Sequence, residues 1–156
     1  MEIIKAETKE FNAVKEITQN TISVIYPHYY PKGAVDFFLK HHSDDKIMQD
    51  ILQGNVYILS VGEMTIGTLT INGNEINRLF VLPEYQGRGY GSALLDFAEN
   101  KIADNYDEIT LSASLPAKGL YRKRGYFETD FDAILTDNGD LLCYDTMIKR
   151  TDLHTK

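Results

Sequence analysis

Three glycines at alternate positions stand where a β-rich run ends and a helical pattern begins, in Gln86-Gly87-Arg88-Gly89-Tyr90-Gly91. Because glycine lacks a Cβ atom, backbone N–H groups can converge there and a bulky anion can approach the main chain closely. The helix that follows presents four unpaired N–H groups and its positive dipole end at the same place. Arg88 adds a charged donor for a phosphate. The segment therefore predicts a diphosphate-binding turn between a strand and a helix.

Other glycine-rich motifs fit this segment less well. A dinucleotide fingerprint requires the spacing Gly-x-Gly-x-x-Gly, whereas here the third glycine comes one residue earlier and Ser92 follows it. A P-loop requires Gly-Lys-Ser or Gly-Lys-Thr, and neither occurs in the chain. The simpler alternative is a loop whose glycines only permit a tight change of direction.

The rest of the chain alternates between strand-like and helix-like patterns. Apolar residues at helical spacing predict a helix from Thr8 that ends before Pro27, and Ser43 is a predicted N-cap for a second helix. A short apolar segment between them, Ala34 to Leu39, is not counted as a helix. The Asn-Gly step at Asn72-Gly73-Asn74 predicts a hairpin.

The resulting order is β-α-α-β-β-β-α-β-α-β-β, which is an α/β (α+β) fold of about seven strands and four helices. The third helix follows Pro83, and the fourth is predicted at Pro116 to Arg124. The predicted strands are Glu2 to Ala6, Val56 to Val61, Thr65 to Ile71, Glu75 to Val81, Glu108 to Ser112, Phe127 to Leu135 and Leu141 to Lys149.

Composition favours one globular domain, which we assign to residues 1–150 with a polar tail at 151–156. Of the 156 residues, 43% are hydrophobic and 25% are charged, as in ordinary soluble domains. The formal net charge of −7 repels phosphate backbones, so we expect no nucleic-acid partner. The N-terminus lacks an apolar signal region, no apolar run spans a bilayer, and Cys143 is the only cysteine. We therefore expect a cytoplasmic protein without a membrane partner.

Two spaced motifs resemble those of the GNAT superfamily of N-acetyltransferases. The turn at 86–91 matches its signature Gln/Arg-x-x-Gly-x-Gly/Ala, and the strand Arg78-Leu79-Phe80-Val81 before it is also similar. Downstream, Ala117-Lys118-Gly119-Leu120-Tyr121-Arg122-Lys123-Arg124-Gly125-Tyr126 resembles the landmark Ala-x-x-Leu-Tyr-x-Lys-x-Gly-Phe/Tyr. The resemblance extends over nearly the whole chain. It implies a mixed central sheet and transfer of an acetyl group from acetyl-CoA to a primary amine, with no metal and no covalent enzyme intermediate.

The resemblance also implies where acetyl-CoA lies, namely in a gap where the strand Glu75 to Val81 splays from the strand Glu108 to Ser112. It further implies that a backbone N–H near Leu79 or Phe80 stabilises the developing oxyanion. Ser114 stands where the family often has asparagine, and a hydroxyl has less reach than an amide. The implied coenzyme-binding residues are Leu79, Phe80, Val81, Gln86, Gly87, Arg88, Gly89, Tyr90, Gly91, Ser92, Ser114 and Lys123.

Two residues are candidates for proton transfer. Tyr121 matches the family tyrosine that lies near the sulfur of coenzyme A, and an ordinary tyrosine pKa of about 10 keeps it protonated at neutral pH, as a general acid requires. The alternative is a tyrosine that only packs the short helix. Glu75 lies eleven residues before Gln86, the spacing of the general base in the histone-acetylating branch. The alternatives are an exposed residue after the hairpin turn, or a water chain as the base.

The segment Tyr26 to His42 lies where the family forms its acceptor pocket, and it is rich in aromatic side chains. The predicted acceptor-binding residues are Tyr26, Tyr29, Tyr30 and Asp36, which offer cation–π and charge contacts to an amine. We interpret His41 and His42 as a solvated pair and predict no metal site.

The leading hypothesis is therefore an acetyl-CoA-dependent N-acetyltransferase acting on a small-molecule or polypeptide amine. The acidic charge mildly favours small amines, including polyamines. The alternative from another class is a non-catalytic acyl-CoA sensor or interaction module, against which Tyr121 argues because a binder needs no proton donor there. The oligomeric state is left open, a homodimer included.

Overall fold

The structure, a computed structural model, describes residues 1–151. Apart from Thr151, the predicted polar tail lies outside the described residues. The strands are β1 (Glu2–Lys5), β2 (Val56–Val61), β3 (Met64–Asn72), β4 (Glu75–Val81), β5 (Glu108–Ala113), β6 (Phe127–Leu135) and β7 (Leu141–Arg150). The helices are α1 (Phe11–Ile25), α2 (Lys32–His41), α3 (Asp44–Leu52), α4 (Tyr90–Ala103) and α5 (Lys118–Lys123). Within residues 1–151 no helix is both long and apolar enough to cross a membrane.

The strands form one mixed sheet in the order β1-β2-β3-β4-β5-β7-β6, in which the β4–β5 pair is parallel and the other pairs are antiparallel. The predicted mixed seven-stranded fold is confirmed. So is the second helix start, because the Ser43 hydroxyl accepts a hydrogen bond from the Lys46 N–H at 3.3 Å.

The structure has one helix more than the sequence predicts. Helix α2 contains the apolar segment that we left unassigned, and Pro31 immediately precedes it with φ −68°. Proline fixes its own φ and has no N–H to satisfy, so it suits the start of a helix as well as an irregular segment, and the sequence does not distinguish the two. Helix α5 in turn begins at Lys118 rather than at Pro116.

Strand β4 departs from regular geometry at the centre of the sheet. Between the cross-strand pairs Thr68–Phe80 and Thr70–Asn77, β4 has one residue more than β3. Arg78 lies in this bulge with φ +47°, a left-handed backbone that residues other than glycine rarely adopt. A bulge changes the direction of the strand and of the side chains that follow it, which here are those of Leu79 to Val81.

The same strand parts from its parallel neighbour. Strands β4 and β5 pair at Glu75–Thr110 and Ile76–Leu111, after which β4 continues to Val81 without a β5 partner. Strand β5 continues along β7 as far as Ala113. The two strands therefore diverge and leave an opening in the sheet, as the resemblance implies.

A buried ion pair anchors the bulge. The Arg78 guanidinium pairs with the carboxylate of Asp50 on α3, and both side chains are 2% exposed. Its Nε–H also donates to His42 Nδ1 at 3.2 Å. Its Nη1 is buried without a hydrogen-bond partner among residues 1–151. These contacts tie the unusual backbone of Arg78 to two helices that lie far from it in sequence.

The core lies around this irregular strand. One large apolar cluster packs α1 and α4 against the sheet, and its fully buried side chains include Ile22, Leu59, Leu69, Leu94 and Leu95. A smaller cluster joins α1, α3 and β2 through Val14, Ile47, Ile51 and Val56. Helices α1 and α4 are therefore fixed beside β4.

A second polar cluster joins α4 to the C-terminal part of the sheet. The Glu99 carboxylate accepts hydrogen bonds from Arg124 Nη2 and Lys149 Nζ, each at 3.0 Å, and from the Tyr126 hydroxyl at 3.2 Å. Burial raises the pKa of Glu99, but the hydrogen bonds and charges of Arg124 and Lys149 outweigh burial and hold that pKa below its ordinary value. The charged form of Glu99 is thus the one that the fold stabilises.

We expect the variant Glu99→Gln to lower the free energy of unfolding by about 2 kcal/mol at pH 7, since it removes charge-assisted hydrogen bonds. A lowered pKa in the folded state contributes stability that is present above the unfolded pKa and is lost as pH falls through the folded pKa. The difference from the parent protein should therefore shrink below about pH 4.5. Urea unfolding at several pH values measures this, with Glu63→Gln in an exposed turn as control. A deficit independent of pH would contradict the prediction.

Candidate active site

A cavity of about 290 Å³ lies against the glycine turn, and we call it the glycine-turn cavity. The turn and the start of α4 form one wall, the parted end of β4 forms another, and α1 and the start of α5 complete it. Its lining residues are Thr21, Ile25, Tyr26, Leu79, Phe80, Val81, Gln86, Gly87, Gly89, Gly91, Ser92, Ser114, Pro116, Ala117 and Leu120.

The glycines of this turn fit a bulky ligand. Gly87 and Gly89 have φ values of +75° and +87°, which side-chain-bearing residues rarely adopt. A Cβ atom built on either glycine meets no heavy atom within 4 Å, so the space before them is open. The Gln86 side chain donates from Nε2 to the Val81 carbonyl at 2.9 Å and joins the turn to the end of β4. The turn therefore leaves room for a diphosphate beside the N-terminus of α4.

Most of the predicted coenzyme-binding residues come together in this cavity, and three do not line it. Arg88 is exposed and its guanidinium lies 5.5 Å from the centre of the Tyr85 ring. The Tyr90 ring also packs against Tyr85, with centroids 6.4 Å apart. Lys123 is exposed in the last turn of α5.

A second cavity of about 360 Å³ adjoins the first, and we call it the aromatic cavity. The two share five lining residues, the junction residues Tyr26, Leu79, Phe80, Ser114 and Ala117. Both predicted proton-transfer residues, Tyr121 and Glu75, line the aromatic cavity. The junction lies where β4 parts from β5, so a group placed there is accessible from both sides.

The tyrosines at this place are held in their neutral form. Burial raises the pKa of Tyr121 well above the ordinary value, and the nearby Tyr26 hydroxyl contributes. Burial also raises the pKa of Tyr26 to about 12, against the lowering effect of its side-chain hydrogen bond with Ser114. Both hydroxyls therefore carry their protons at neutral pH, which is the state that a proton donor needs.

The predicted acceptor-binding residues are dispersed. Tyr26 is a junction residue, whereas Tyr29, Tyr30 and Asp36 line neither cavity. Tyr29 is 51% exposed, and the Tyr30 hydroxyl accepts a hydrogen bond from the Leu115 N–H at 2.7 Å. Asp36 forms an ion pair with Lys32 at 2.9 Å on the outer face of α2. Tyr30 thus positions the loop beside Ser114 rather than facing the cavity.

The histidines are more closely involved than the sequence predicts. Both line the aromatic cavity, and only His41 is exposed, so the pair is not simply solvated. His42 accepts from Arg78, and its ring packs edge-on against Phe80 with centroids 5.9 Å apart. Burial, the Arg78 charge and His41 lower the pKa of His42 to about 3. His42 is therefore neutral, with its remaining proton on Nε2 because Nδ1 accepts a hydrogen bond.

Sequence reasoning missed several lining residues. Ala117 and Leu120 occur in the landmark motif of α5, and Thr21 and Ile25 occur in the apolar pattern of α1, so the signals were present without pointing to a cavity. On the aromatic cavity it missed Phe37, Phe38, Ile76, Asn77, Arg78, Ser112, Ile134, Leu142 and Tyr144. No local motif marks this second set, because five different elements supply it.

Comparison with known proteins decides the family. The acetyltransferase (GNAT) domain matches residues 25–140, which includes the turn, β4, β5 and α5. The chain belongs to the GNAT acetyltransferase family. Two curated relatives are similar in sequence, an uncharacterised N-acetyltransferase of Staphylococcus saprophyticus (38% identical over 71 residues) and the uncharacterised N-acetyltransferase YafP of Escherichia coli K12 (28% identical over 78 residues). The matches span 46% and 50% of this chain and 44% and 49% of those relatives, about half of their length.

Solved structures of N-acetyltransferases share the fold. A GCN5-related N-acetyltransferase from Rhodopseudomonas palustris superimposes with a TM-score of 0.85 at 22% identity, over 96% of this chain and 94% of that one. The PaiA N-acetyltransferase of Thermoplasma acidophilum, solved in complex with coenzyme A, gives a TM-score of 0.71 at 21% identity, over 96% of this chain and 98% of that one.

Proposed function

We propose that this GNAT protein is an N-acetyltransferase that moves the acetyl group of acetyl-CoA directly to a primary amine. One observation supports the proposal, namely that the glycine-turn cavity and the aromatic cavity share five lining residues at the parting of β4 and β5. A coenzyme held at the turn can thus meet an acceptor that enters from the other side. The relative solved with coenzyme A supports the choice of ligand.

The residues of the turn would bind and orient the coenzyme. The open space before Gly87 and Gly89 leaves the N–H groups of the turn and of the start of α4 accessible to the two phosphates. Leu79 and Val81 lie beyond the last β4–β5 pair, so their main-chain groups are available to an extended ligand arm. The bound coenzyme supplies an acetyl thioester, and a backbone N–H near Leu79 or Phe80 would stabilise charge on its carbonyl oxygen.

Two side chains would move protons. Tyr121 retains its proton and lies one helical turn after the junction residue Ala117, so we assign it the transfer of a proton to the departing sulfur. Glu75 precedes Leu79 by four strand residues, about 13 Å along β4, which is beyond the reach of a glutamate side chain. We therefore assign Glu75 the removal of a proton from the incoming ammonium through water.

Binding of acetyl-CoA tests the proposal, and isothermal titration calorimetry measures it. We expect the parent protein to bind, and Gly89→Ala to weaken binding at least about ten-fold, because its Cβ enters the space for the phosphates. Gly62→Ala is the matched control, since Gly62 also has a positive φ with open space but lies in the β2–β3 turn. Both variants should lose about 1 kcal/mol of stability. No heat with the parent protein, or equal affinity losses in both variants, would contradict the proposal.

A further inference from the structure

We propose that the acceptor is a primary amine attached to an aromatic ring by a short chain, with the ring bound in the aromatic cavity. This inference rests on the proposed acetyl transfer and adds the substrate class. Polyamines and polypeptide amines are the competing outcomes of its test.

The walls of the aromatic cavity suit a ring. Six of its lining residues are phenylalanine or tyrosine, and five more are aliphatic or alanine. The rings touch one another, with Tyr26 edge-on to Phe38 at 4.7 Å between centroids and Phe37 edge-on to Phe38 at 6.4 Å. Aromatic side chains arranged in this way provide both faces and edges to a further ring. A cavity of about 360 Å³ also has the size of a small-molecule site.

The charged residues that line the aromatic cavity can compensate one ammonium group and no more. Glu75 is the single acidic residue among the described residues that line this cavity, and it forms no ion pair with the rest of residues 1–151. Arg78 also lines it, but its charge is compensated by the buried Asp50. A triamine would bring further ammonium groups into this cavity with no second carboxylate to pair with them, which costs free energy.

The two histidines add no charge to the aromatic cavity. The pKa of His42 is lowered to about 3, chiefly by burial, and that of His41 is lowered by burial and by the charges of Arg78 and Lys46. Both imidazoles are therefore uncharged at neutral pH, and they extend the aromatic wall. Phe37 stacks on His41 with ring centroids 5.9 Å apart and ring planes 10° from parallel.

The experiment compares kcat/KM for four acceptors at fixed acetyl-CoA by following the release of free thiol. The acceptors are 2-phenylethylamine, butane-1,4-diamine, spermidine and a short peptide with a free N-terminus. We expect 2-phenylethylamine to exceed each of the others by at least about ten-fold, the discrimination that an apolar pocket provides. A higher value for spermidine, the diamine or the peptide would overturn the inference and leave the proposed acetyl transfer intact.

Two variants at neighbouring residues of β6 test the aromatic acceptor, one inside the cavity and one outside it as control. Ile134 lines the cavity, whereas Leu135 is 70% exposed and does not. We expect Ile134→Glu to lower kcat/KM for 2-phenylethylamine about ten-fold and to raise it for the diamine, because a second carboxylate then faces the acceptor. Leu135→Glu adds the same charge outside the cavity and should change either value by less than about two-fold.

Calorimetry with acetyl-CoA distinguishes a failure of this inference from a failure of the proposed function. A protein that binds acetyl-CoA but shows equal kcat/KM in both variants, or acetylates another class better, refutes the aromatic acceptor alone. A protein that neither binds acetyl-CoA nor acetylates any of the four amines refutes the proposed function and this inference together. Should Ile134→Glu not fold, the ranking of the four acceptors by the parent protein still decides.

Discussion

Turnover is expected to fall about a hundred-fold when Tyr121 is replaced by phenylalanine, while the affinity for acetyl-CoA stays the same. The change removes one hydroxyl and retains the ring that packs against Tyr126, with centroids 5.6 Å apart. A general acid contributes on the order of 10²–10⁴-fold to the rate, and its loss affects the chemical step rather than binding. The affinity should be unaffected because Tyr121 does not line the glycine-turn cavity. Steady-state kinetics with calorimetry measures both quantities.

The control for this variant is Tyr126→Phe, which removes a hydroxyl from the neighbouring ring. That hydroxyl donates to Glu99 and lies outside both cavities, so its loss should lower stability by about 1 kcal/mol and leave turnover unchanged. Unchanged turnover in Tyr121→Phe would remove Tyr121 from the mechanism. The junction tyrosine Tyr26 would then be the donor to test, again as its phenylalanine variant.

The variant Asp50→Ala should lower the free energy of unfolding by about 3–5 kcal/mol, because it leaves the buried Arg78 without a counter-charge. Arg78 already has one buried nitrogen without a partner, so the loss of Asp50 leaves a second one unsatisfied. Its backbone has a positive φ that depends on the side-chain anchor. We also expect weaker acetyl-CoA binding, since the bulge aims Leu79 to Val81. Chemical denaturation and calorimetry measure the two effects.

The double variant Asp50→Ala/Arg78→Ala distinguishes the charge from the space that Asp50 fills. With both partners absent no unpaired charge remains, so the double variant should be more stable than the sum of the two single variants indicates. A coupling energy of at least about 2 kcal/mol is expected from denaturation of the four proteins in the cycle. Additive losses would show that the ion pair does not hold the bulge.

The features that the sequence predicts well are those with a local physical cause. The glycine turn has one, since alternate glycines before a helix offer N–H groups to an anion whatever surrounds them. The structure places Gly87, Gly89 and Gly91 along one cavity. The hairpin at Asn72-Gly73 and the N-cap at Ser43 likewise depend on neighbouring residues alone and are confirmed.

The features that the sequence does not predict depend on distant parts of the chain. Arg78 contacts Asp50, 28 positions away, and His42, 36 positions away. No short motif predicts these contacts. The family resemblance implies that the aromatic segment Tyr26 to His42 lies near the acceptor. Which side chains face the cavity depends on how α2 rotates against the sheet. The structure turns Phe37 and Phe38 inward and leaves Asp36 outside, which periodicity alone does not settle.

The early parting of β4 from β5 also bears on how the protein avoids unwanted association. An exposed strand edge invites pairing with another chain, and proteins usually cover, charge or shorten such edges. Here the part of β4 beyond its last pair with β5 lines the glycine-turn cavity together with residues of α1, α4 and α5, so helices flank this edge. A thin, flexible ligand can still reach it. The helices around the cavity thus flank an unpaired strand edge of the kind that proteins usually cover.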